Sequence, residues 1–518
     1  MTARPTTPPP PLTGLKADWL AEEGTKAVAR GGLANMVGSA LAGGTGFGVT
    51  WIVARSLGPD QAGAFFASTA AFVLAGGLAK LGTQTGLVYW PARLRATGRA
   101  ELLGACLRTG LAPVIGMSLL LAVGLWLTAP AIAHATAHDS RAVVGTHTAG
   151  LRVLALFLPL QALTDALLTA TRGYRMMRPT VLYDRIVRSA LQLLLVAAAG
   201  VATLWTAGTL PVFAFAWAAP YLPVTVLSAY AIRKLYLASK PPGVTTRRVE
   251  RRGLRRDFWR FTGPRALASV AQLALQRVDV LLVAALGGLA PAAIYAVAGR
   301  FVVLIQFANQ GISQSVQPRL AEALTIGDRA NANHLYQTAT GWLVLVTWPI
   351  NLVVIQLAPL YLRLFGDGYT AGRAVVVILA SAMLVATGCG MVDMVLAMAG
   401  RTSWNLVNVL IALGVTIGLD VLLIPRFGAL GAAIGLACAM VANNVLPLVQ
   451  VGRAVGLHPF GRGTRAAALL SLACFGVLPL LVGALAGLAL AVPTFLAGVW
   501  LLRGPLALDA FTSTRRTR

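Results

Sequence analysis

Two stretches decide how this chain folds. One is Val53-Ala54-Arg55-Ser56-Leu57-Gly58, followed by Ala67, Phe72-Val73 and Gly82; the other is Val283-Ala284-Ala285-Leu286-Gly287, followed by Ala296, Phe301-Val302 and Gly311. The matched residues differ by a near-constant offset of about 229 positions. Each stretch closes one long apolar run and opens the next, so the same element stands twice in the chain. A unit repeated in parallel must contain an even number of crossings, because only then does the chain return to its starting side. Six fit between the repeats. Two six-helix bundles related by an axis along the membrane normal form a transporter layout, with the substrate site between them near the midplane.

The composition supports the membrane premise. Of 518 residues 57% are hydrophobic and 12% charged, and the mean hydropathy is +0.74. Average globular chains are about 25% charged, so an ordinary soluble enzyme and a disordered chain are both excluded. The expected class is all-α, polytopic, with about fourteen spans: 31–54, 62–84, 105–130, 150–171, 180–204, 209–232, 261–286, 291–316, 338–362, 372–398, 403–424, 429–450, 465–482 and 485–502. Each covers about 30 Å of hydrocarbon. Only a Gly483–Gly487 turn separates the last two, so thirteen spans is the alternative. The domain reading is a cytosolic, Pro-rich, disordered tail (1–29), a first lobe (30–236) and a basic cytosolic linker (237–257). A second lobe (258–456), two extra helices (457–503) and a basic cytosolic tail (504–518) follow. The N-terminus lacks the apolar core of a signal peptide.

Charge gives orientation. The chain carries 43 Lys and Arg against 17 Asp and Glu, net +26. In a soluble protein this excess would point to nucleic acid. Sorted by loop, roughly thirty basic residues fall on the side of the termini and about five on the other, as the positive-inside rule requires. Both termini are therefore expected in the cytosol, and nucleic acid is not expected as a partner. The cluster Arg247 to Arg256 is read as a connector at the anionic inner leaflet.

Enzyme motifs are absent: there is no Walker A, H-E-x-x-H or nucleophile elbow. Cys106, Cys389, Cys438 and Cys474 lie in apolar segments and read as small hydrophobes, without a metal pattern or a disulfide. His134 and His138 have the spacing of a metal pair but lack further ligands, so no metal is expected. The informative residues are ionisable groups inside spans, where charge is costly and faces a cavity or a partner. Along span seven, Arg265, Ser269, Gln272, Gln276 and Asp279 fall within roughly 80°, and along span eight Arg300, Gln306, Gln310, Gln314 and Gln317 within roughly 120°. Asp279 and Arg300 lie at similar depth, about 12–14 Å from the outer face, and are placed to pair. Two polar stripes on adjacent helices describe a hydrophilic cavity wall. Arg277 points off the stripe. In span five, Asp184 and Arg188 are an i,i+4 pair, with Arg188 near the midplane, where a guanidinium suits phosphate. Asp165, deep in span four, is the best unpaired candidate for proton or cation coupling. Asp393 and Asp420 lie near span ends and are read as solvated or locally paired.

Val-Ala-Arg-Ser-Leu-Gly-Pro-Asp-Gln-Ala-Gly-Ala-Phe (53–65), Leu-Gly-Thr-Gln-Thr-Gly-Leu-Val (81–88) and Arg-Gly-Tyr-Arg-Met-Met-Arg-Pro-Thr (172–180) resemble signatures of the bacterial polysaccharide flippases. Those proteins belong to the multidrug/oligosaccharidyl-lipid/polysaccharide exporter superfamily. Gln276-Arg-Val-Asp279 with Leu286-Gly287 is similar to the start of their second half. The resemblance covers about residues 30–455. It implies two lobes that alternate between inward-open and outward-open forms in the bacterial cytoplasmic membrane. It also implies a polyprenyl-pyrophosphate-linked oligosaccharide as substrate, with the polysaccharide polymerase and glycosyltransferases of the same pathway as partners alongside membrane lipids. Arg188, Arg277 and Arg300, with Gln272, Gln276, Gln310 and Gln314, are the residues assigned to the cavity. Asp279, Asp165 and Asp184 are assigned to ion pairing or coupling. No cofactor is expected beyond a coupling H+ or Na+. The rivals are a lipid II flippase, which also has a cationic cavity and two extra C-terminal spans, and a cation-coupled exporter of small molecules. A glycan-assembly enzyme or a non-transporting scaffold is the rival from another class.

Overall fold

The computed structural model describes residues 14–137, 141–205, 208–239 and 248–507. Among them, thirteen helical segments are long and apolar enough to cross a bilayer. The first, Ala40–Ala79, has 40 residues, about 60 Å of helix, twice the thickness of the hydrocarbon. It is divided at Gly58, whose backbone is non-helical (φ 71, ψ 174). Neighbours show that the chain reverses there. Gly38 lies against Val181 and Arg185, and Gly48 against Leu193. Gly76 lies against Gln161, and Lys80 bonds Asp165. The first pair of segments therefore advances in step, and so does the second. Because 143–173 and 180–202 are consecutive crossings, the two halves of the long helix run in opposite directions.

Fourteen crossings result. We label them α1 (14–57), α2 (59–79), α3 (Ala100–Thr136), α4 (Val143–Gly173), α5 (Thr180–Ala202), α6 (Leu210–Ser239) and α7 (Arg248–Leu286). The second half continues as α8 (Leu289–Thr325), α9 (Arg329–Gln356), α10 (Asp367–Met398), α11 (Thr402–Phe427), α12 (Ala429–Ala454), α13 (Arg462–Val482) and α14 (Ala484–Leu501). Gly288 separates α7 from α8 with φ 93 and ψ 176, nearly the conformation of Gly58. Both residues occupy the positive-φ region that favours glycine, so the sequence repeat is a repeated turn.

Two departures from the sequence reading concern the connections. Helix α1 begins at Gly14, within the segment expected to be a disordered tail, and α7 begins at Arg248, within the segment expected to be a linker. The rest of that tail and linker (1–13 and 240–247), the end of the C-terminal tail (508–518), His138 and Asp139 lie outside the described residues. The amphipathic start of α7 buries Leu254 and Phe258 and leaves Arg252, Arg255 and Arg256 exposed; that burial extends the helix.

The core differs at the two ends of the molecule. At the end carrying the Gly58 and Gly288 turns, one cluster joins Val53, Phe65 and Phe72 to Val283, Tyr295, Phe301 and Phe365. Toward the basic end it divides. Leu87, Leu103, Ala166 and Phe258 form one cluster, and Leu320, Tyr336, Val392 and Leu457 another. At the turn end the lobes are also bonded: Trp51 Nε1 donates to the Leu364 carbonyl (2.8 Å) and the Tyr369 hydroxyl to the Ala54 carbonyl (3.2 Å). Helices α13 and α14 pack on α9 through Leu352, Cys474, Phe475 and Ala491. Leu120, Leu127, Leu481 and Leu485 are exposed, as in a protein surrounded by hydrocarbon.

At Gly63 the lobes meet backbone against backbone, where a Cβ would fall 1.9 Å from the Leu289 carbonyl oxygen. Backbone cannot yield as a side-chain tip can. Gly63→Val is therefore expected to insert normally but to prevent closure of the turn end. A Thr69→Cys reporter in that background should become reactive to an impermeant maleimide added from the turn side, while the same reporter with Gly63 intact stays protected.

Candidate functional site

Two adjoining cavities, which share wall residues, lie in the interior. The smaller, about 220 Å³, is between the lobes, lined by α1, α2, α5 and α6 on one side and α7 and α8 on the other. The larger, about 410 Å³, lies within the second lobe. Arg277 and Arg300 line both.

Arg188 enters the smaller cavity from a π-helical turn, Thr180–Arg188, at the start of α5. Such wide turns are frequent at functional sites. Its Nε donates to Asp184 Oδ1 (2.6 Å), Nη1 donates to Gln192 Oε1 (3.2 Å), and its guanidinium carbon lies 5.3 Å from the Tyr221 ring centroid. Gln192 in turn donates to the Trp217 carbonyl (2.9 Å). Arg188 is thus charge-neutralised by Asp184 and braced from two further sides.

Arg277 and Arg300 differ. Among the described residues neither side chain makes an ion pair or hydrogen bond, and the Nε of each is buried without a partner. Arg300 occupies a two-residue interruption of α8 at Gly299–Arg300 and stands 5.8 Å from the Phe66 ring of the other lobe. The Asp279–Arg300 pair expected from equal depth is not formed. Asp279 accepts from the Tyr295 hydroxyl and from the backbone N–H of Val280 (2.8 Å). Tyr295, nearly two turns from the start of α8, reaches Asp279 first and leaves Arg300 free to face the cavity. The interior therefore presents two guanidinium groups with no carboxylate within ion-pair distance, opposite a third that has one.

The remaining sequence candidates divide. Gln272 and Gln276 line the larger cavity with Gln306 and Asn309. Gln310 and Gln314 are exposed and line neither cavity. They follow Gln306 by about 6 and 12 Å along the helix, beyond the wall toward the basic end. Asp165 is not alone, since Lys80 Nζ pairs with its Oδ2 at 2.8 Å. Asp420, read as solvated or locally paired, is fully buried in α11, and neither carboxylate oxygen has a hydrogen-bond partner. Sequence reasoning also missed Asn443 and Asn444 of α12, both at the larger cavity; two adjacent amides inside an apolar span were the available signal.

Among the described residues, fourteen crossings in two pseudo-symmetric bundles around a central polar cleft define a multi-pass membrane protein with a transporter fold. The profile of the family described as "Polysaccharide biosynthesis protein" matches residues 28–324, more than half of the chain, and that described as "MatE" matches residues 264–422. The chain belongs to the polysaccharide biosynthesis protein family, within the multidrug/oligosaccharidyl-lipid/polysaccharide exporter superfamily. Among solved structures it is similar to the lipid II flippase MurJ in an inward closed conformation. That match has a TM-score of 0.70 at 14% identity and covers 92% of this chain and 100% of that one. It is also similar to an inward-facing multidrug resistance MATE family transporter, with a TM-score of 0.61 at 16% identity over 81% of this chain and 94% of that one. An outward-facing MATE structure matches at 0.52 and 16% over 83% and 96%. No curated protein sequence matches the chain. Identities this low speak for the fold alone.

The Lys80–Asp165 pair is partly exposed, at 18% and 27%, yet lies inside the helical bundle, where one partner without the other is an uncompensated charge. Asp165→Leu or Lys80→Met alone is expected to cost about 1–3 kcal/mol and lower Tm in detergent. The double variant should recover most of the loss. Additive single effects in this double-mutant cycle would show that the two charges do not stabilise each other.

Proposed function

We propose that the chain is a flippase for polyprenyl-pyrophosphate-linked oligosaccharide, a precursor of cell-surface polysaccharide, working by alternating access in the bacterial cytoplasmic membrane. The observation that carries this reading is the pair of unpartnered guanidinium groups, Arg277 and Arg300, facing the inter-lobe cavity. A buried charge without a partner is strongly unfavourable. A pyrophosphate, multiply charged and rich in oxygen acceptors, supplies the missing partner in the bidentate geometry that arginine favours. The basic end is then the cytoplasmic one, with both termini, and the lipid tail trails into the bilayer. Glycosyltransferases would supply the substrate there and a polymerase would consume it on the other side. A lipid II flippase would use the same cationic contacts, and its headgroup is distinguished in the assay below. A cavity with surplus positive charge is ill suited to an exporter of cationic drugs.

In proteoliposomes containing a fluorescent polyprenyl pyrophosphate disaccharide, the wild-type chain should move the lipid between leaflets. Arg277→Ala and Arg300→Ala should each slow it at least about tenfold, the loss of one charge-assisted contact. Undiminished rates in both variants, or movement of lipid II alone, would overturn the substrate assignment.

Coupling to H+ or Na+ falls to Asp420 on this reading. Asp165 and Asp184 are engaged by Lys80 and Arg188, and Asp279 by Tyr295, whereas Asp420 alone of these has both oxygens unsatisfied. Asp420→Asn should retain slow equilibration of the lipid and lose any acceleration by an imposed pH or Na+ gradient. An unchanged gradient response would remove Asp420 from the coupling path.

A further inference from the structure

The two halves of the repeat differ most in what fills them. The offset of about 229 sets Asn309 in the place of Lys80 and Met394 in the place of Asp165. In the first lobe those charges pair at 2.8 Å beside a packed cluster. In the second lobe no charge pair stands there, and the cavity of about 410 Å³ opens instead. Its size lies within the range of small-molecule sites, about 300–1,000 Å³.

The helix opposite has changed too. Helix α4 is continuous through 160–162, whereas its counterpart α10 is interrupted at Cys389-Gly390-Met391. Gly390 has φ 73, and a Cβ there would meet Thr340 and Tyr336. The Tyr336 hydroxyl donates to the Cys389 carbonyl (2.6 Å), so α9 holds the break in place. Irregular backbone at membrane depth is tolerated where it lines a cavity, and Ala386, Thr387 and Gly390 do so.

Six primary amides converge on this chamber: Gln272 and Gln276 from α7, Gln306 and Asn309 from α8, Asn443 and Asn444 from α12. Among the described residues the side chains of Gln272, Gln276 and Gln306 make no hydrogen bond, and Asn443 Oδ1 is buried without a partner. An amide offers two donors and an acceptor without charge, the complement of a hydroxyl or an acetamido group. The charged side chains that line it are Arg277 and Arg300 at the neck, Asp279 beside Tyr295, and Asp393 at the start of the half-helix Val392–Met398.

We propose that this chamber binds the first sugars of the substrate as an uncharged or N-acetylated saccharide, while the two arginines at its neck hold the pyrophosphate. The assignment rests on the flippase reading and adds a division of labour to it: the cleft between lobes takes the anion, and the second lobe alone takes the glycan. Asp393, without a cationic partner among the described residues, disfavours an acidic sugar at this position.

The test compares two probes on the full chain in nanodiscs: a polyprenyl pyrophosphate, and the same lipid bearing one N-acetylglucosamine. The wild-type chain should bind the sugar-bearing lipid about tenfold more tightly. Asn309→Ala/Asn443→Ala should abolish that preference and leave the bare lipid's Kd within about twofold. Asn309→Gln, which keeps the amide and guards against misfolding of the truncated variant, should retain it. Arg277→Ala/Arg300→Ala should weaken both lipids alike. The chamber assignment is overturned if the wild-type chain shows no preference, if the double amide variant keeps the preference, or if it weakens both lipids equally. Unchanged binding of both lipids to the double arginine variant would sink the flippase reading instead, with the sugar preference still read independently.

Discussion

The architecture is organised by the cost of holding charge inside hydrocarbon. A guanidinium, ammonium or carboxylate removed from water must find a partner, a cavity or a ligand. Each ionisable group in the interior resolves this differently. Lys80 and Asp165 neutralise each other, Arg188 and Asp184 do so across a π-helical turn, and Asp279 is satisfied by a tyrosine hydroxyl and a backbone N–H. Arg277 and Arg300 have none of these and share a cavity wall. Their position, more than any motif, separates a binding site from a set of structural ion pairs.

The duplication supplies the frame, and its asymmetry supplies the function. Gly58 and Gly288 turn the chain in the same way at corresponding places, which makes the bundles superposable in topology. Charge has not been duplicated with them. The offset matches Arg277 with Gly48, Arg300 with Ala71 and Asp420 with Leu191. One lobe is closed by an ion pair and a dense core; the other is hollow and lined with amides. A symmetric scaffold gives two surfaces that can rock against each other, and on the proposed reading the unlike interiors make one of them the ligand's seat.

Much of this was legible in the sequence. Hydropathy and the repeat announced fourteen crossings and two bundles because bilayer thickness and helix rise leave few other ways to arrange such apolar runs. The Asp184–Arg188 contact followed from i,i+4 spacing. What escaped depended on which neighbour comes closest in space. Helical depth alone put Asp279 beside Arg300, but Tyr295 reaches the carboxylate first. Helical phase put Gln310 and Gln314 on the cavity stripe, yet the cavity ends before them. Phase also turned Arg277 away from the stripe. In the structure α7 borders two cavities, and a residue off one wall lines the other. Asp420 sits near the end of its helix in sequence, and only the packing of α12 against it shows that no water reaches it.

A ligand held at the neck would touch both lobes, and this has a thermodynamic consequence. Arg188 belongs to the first lobe, Arg277 and Arg300 to the second, and all three face one cavity. An anion bridging them binds better when the two sets are close than when they part, so its binding free energy differs between conformations. A ligand shifts a conformational equilibrium only through such a difference. Arg188, already neutralised by Asp184, is the weaker attractor of the three, and an anion leaving it would remain with Arg277 and Arg300. On the proposed flippase reading, the asymmetry of pairing would set the order in which contacts are released: first-lobe contact first, second-lobe contacts last. On the proposed reading, the unpaired arginines lie on the lobe with the hollow interior because that lobe would keep the substrate while the other moves away.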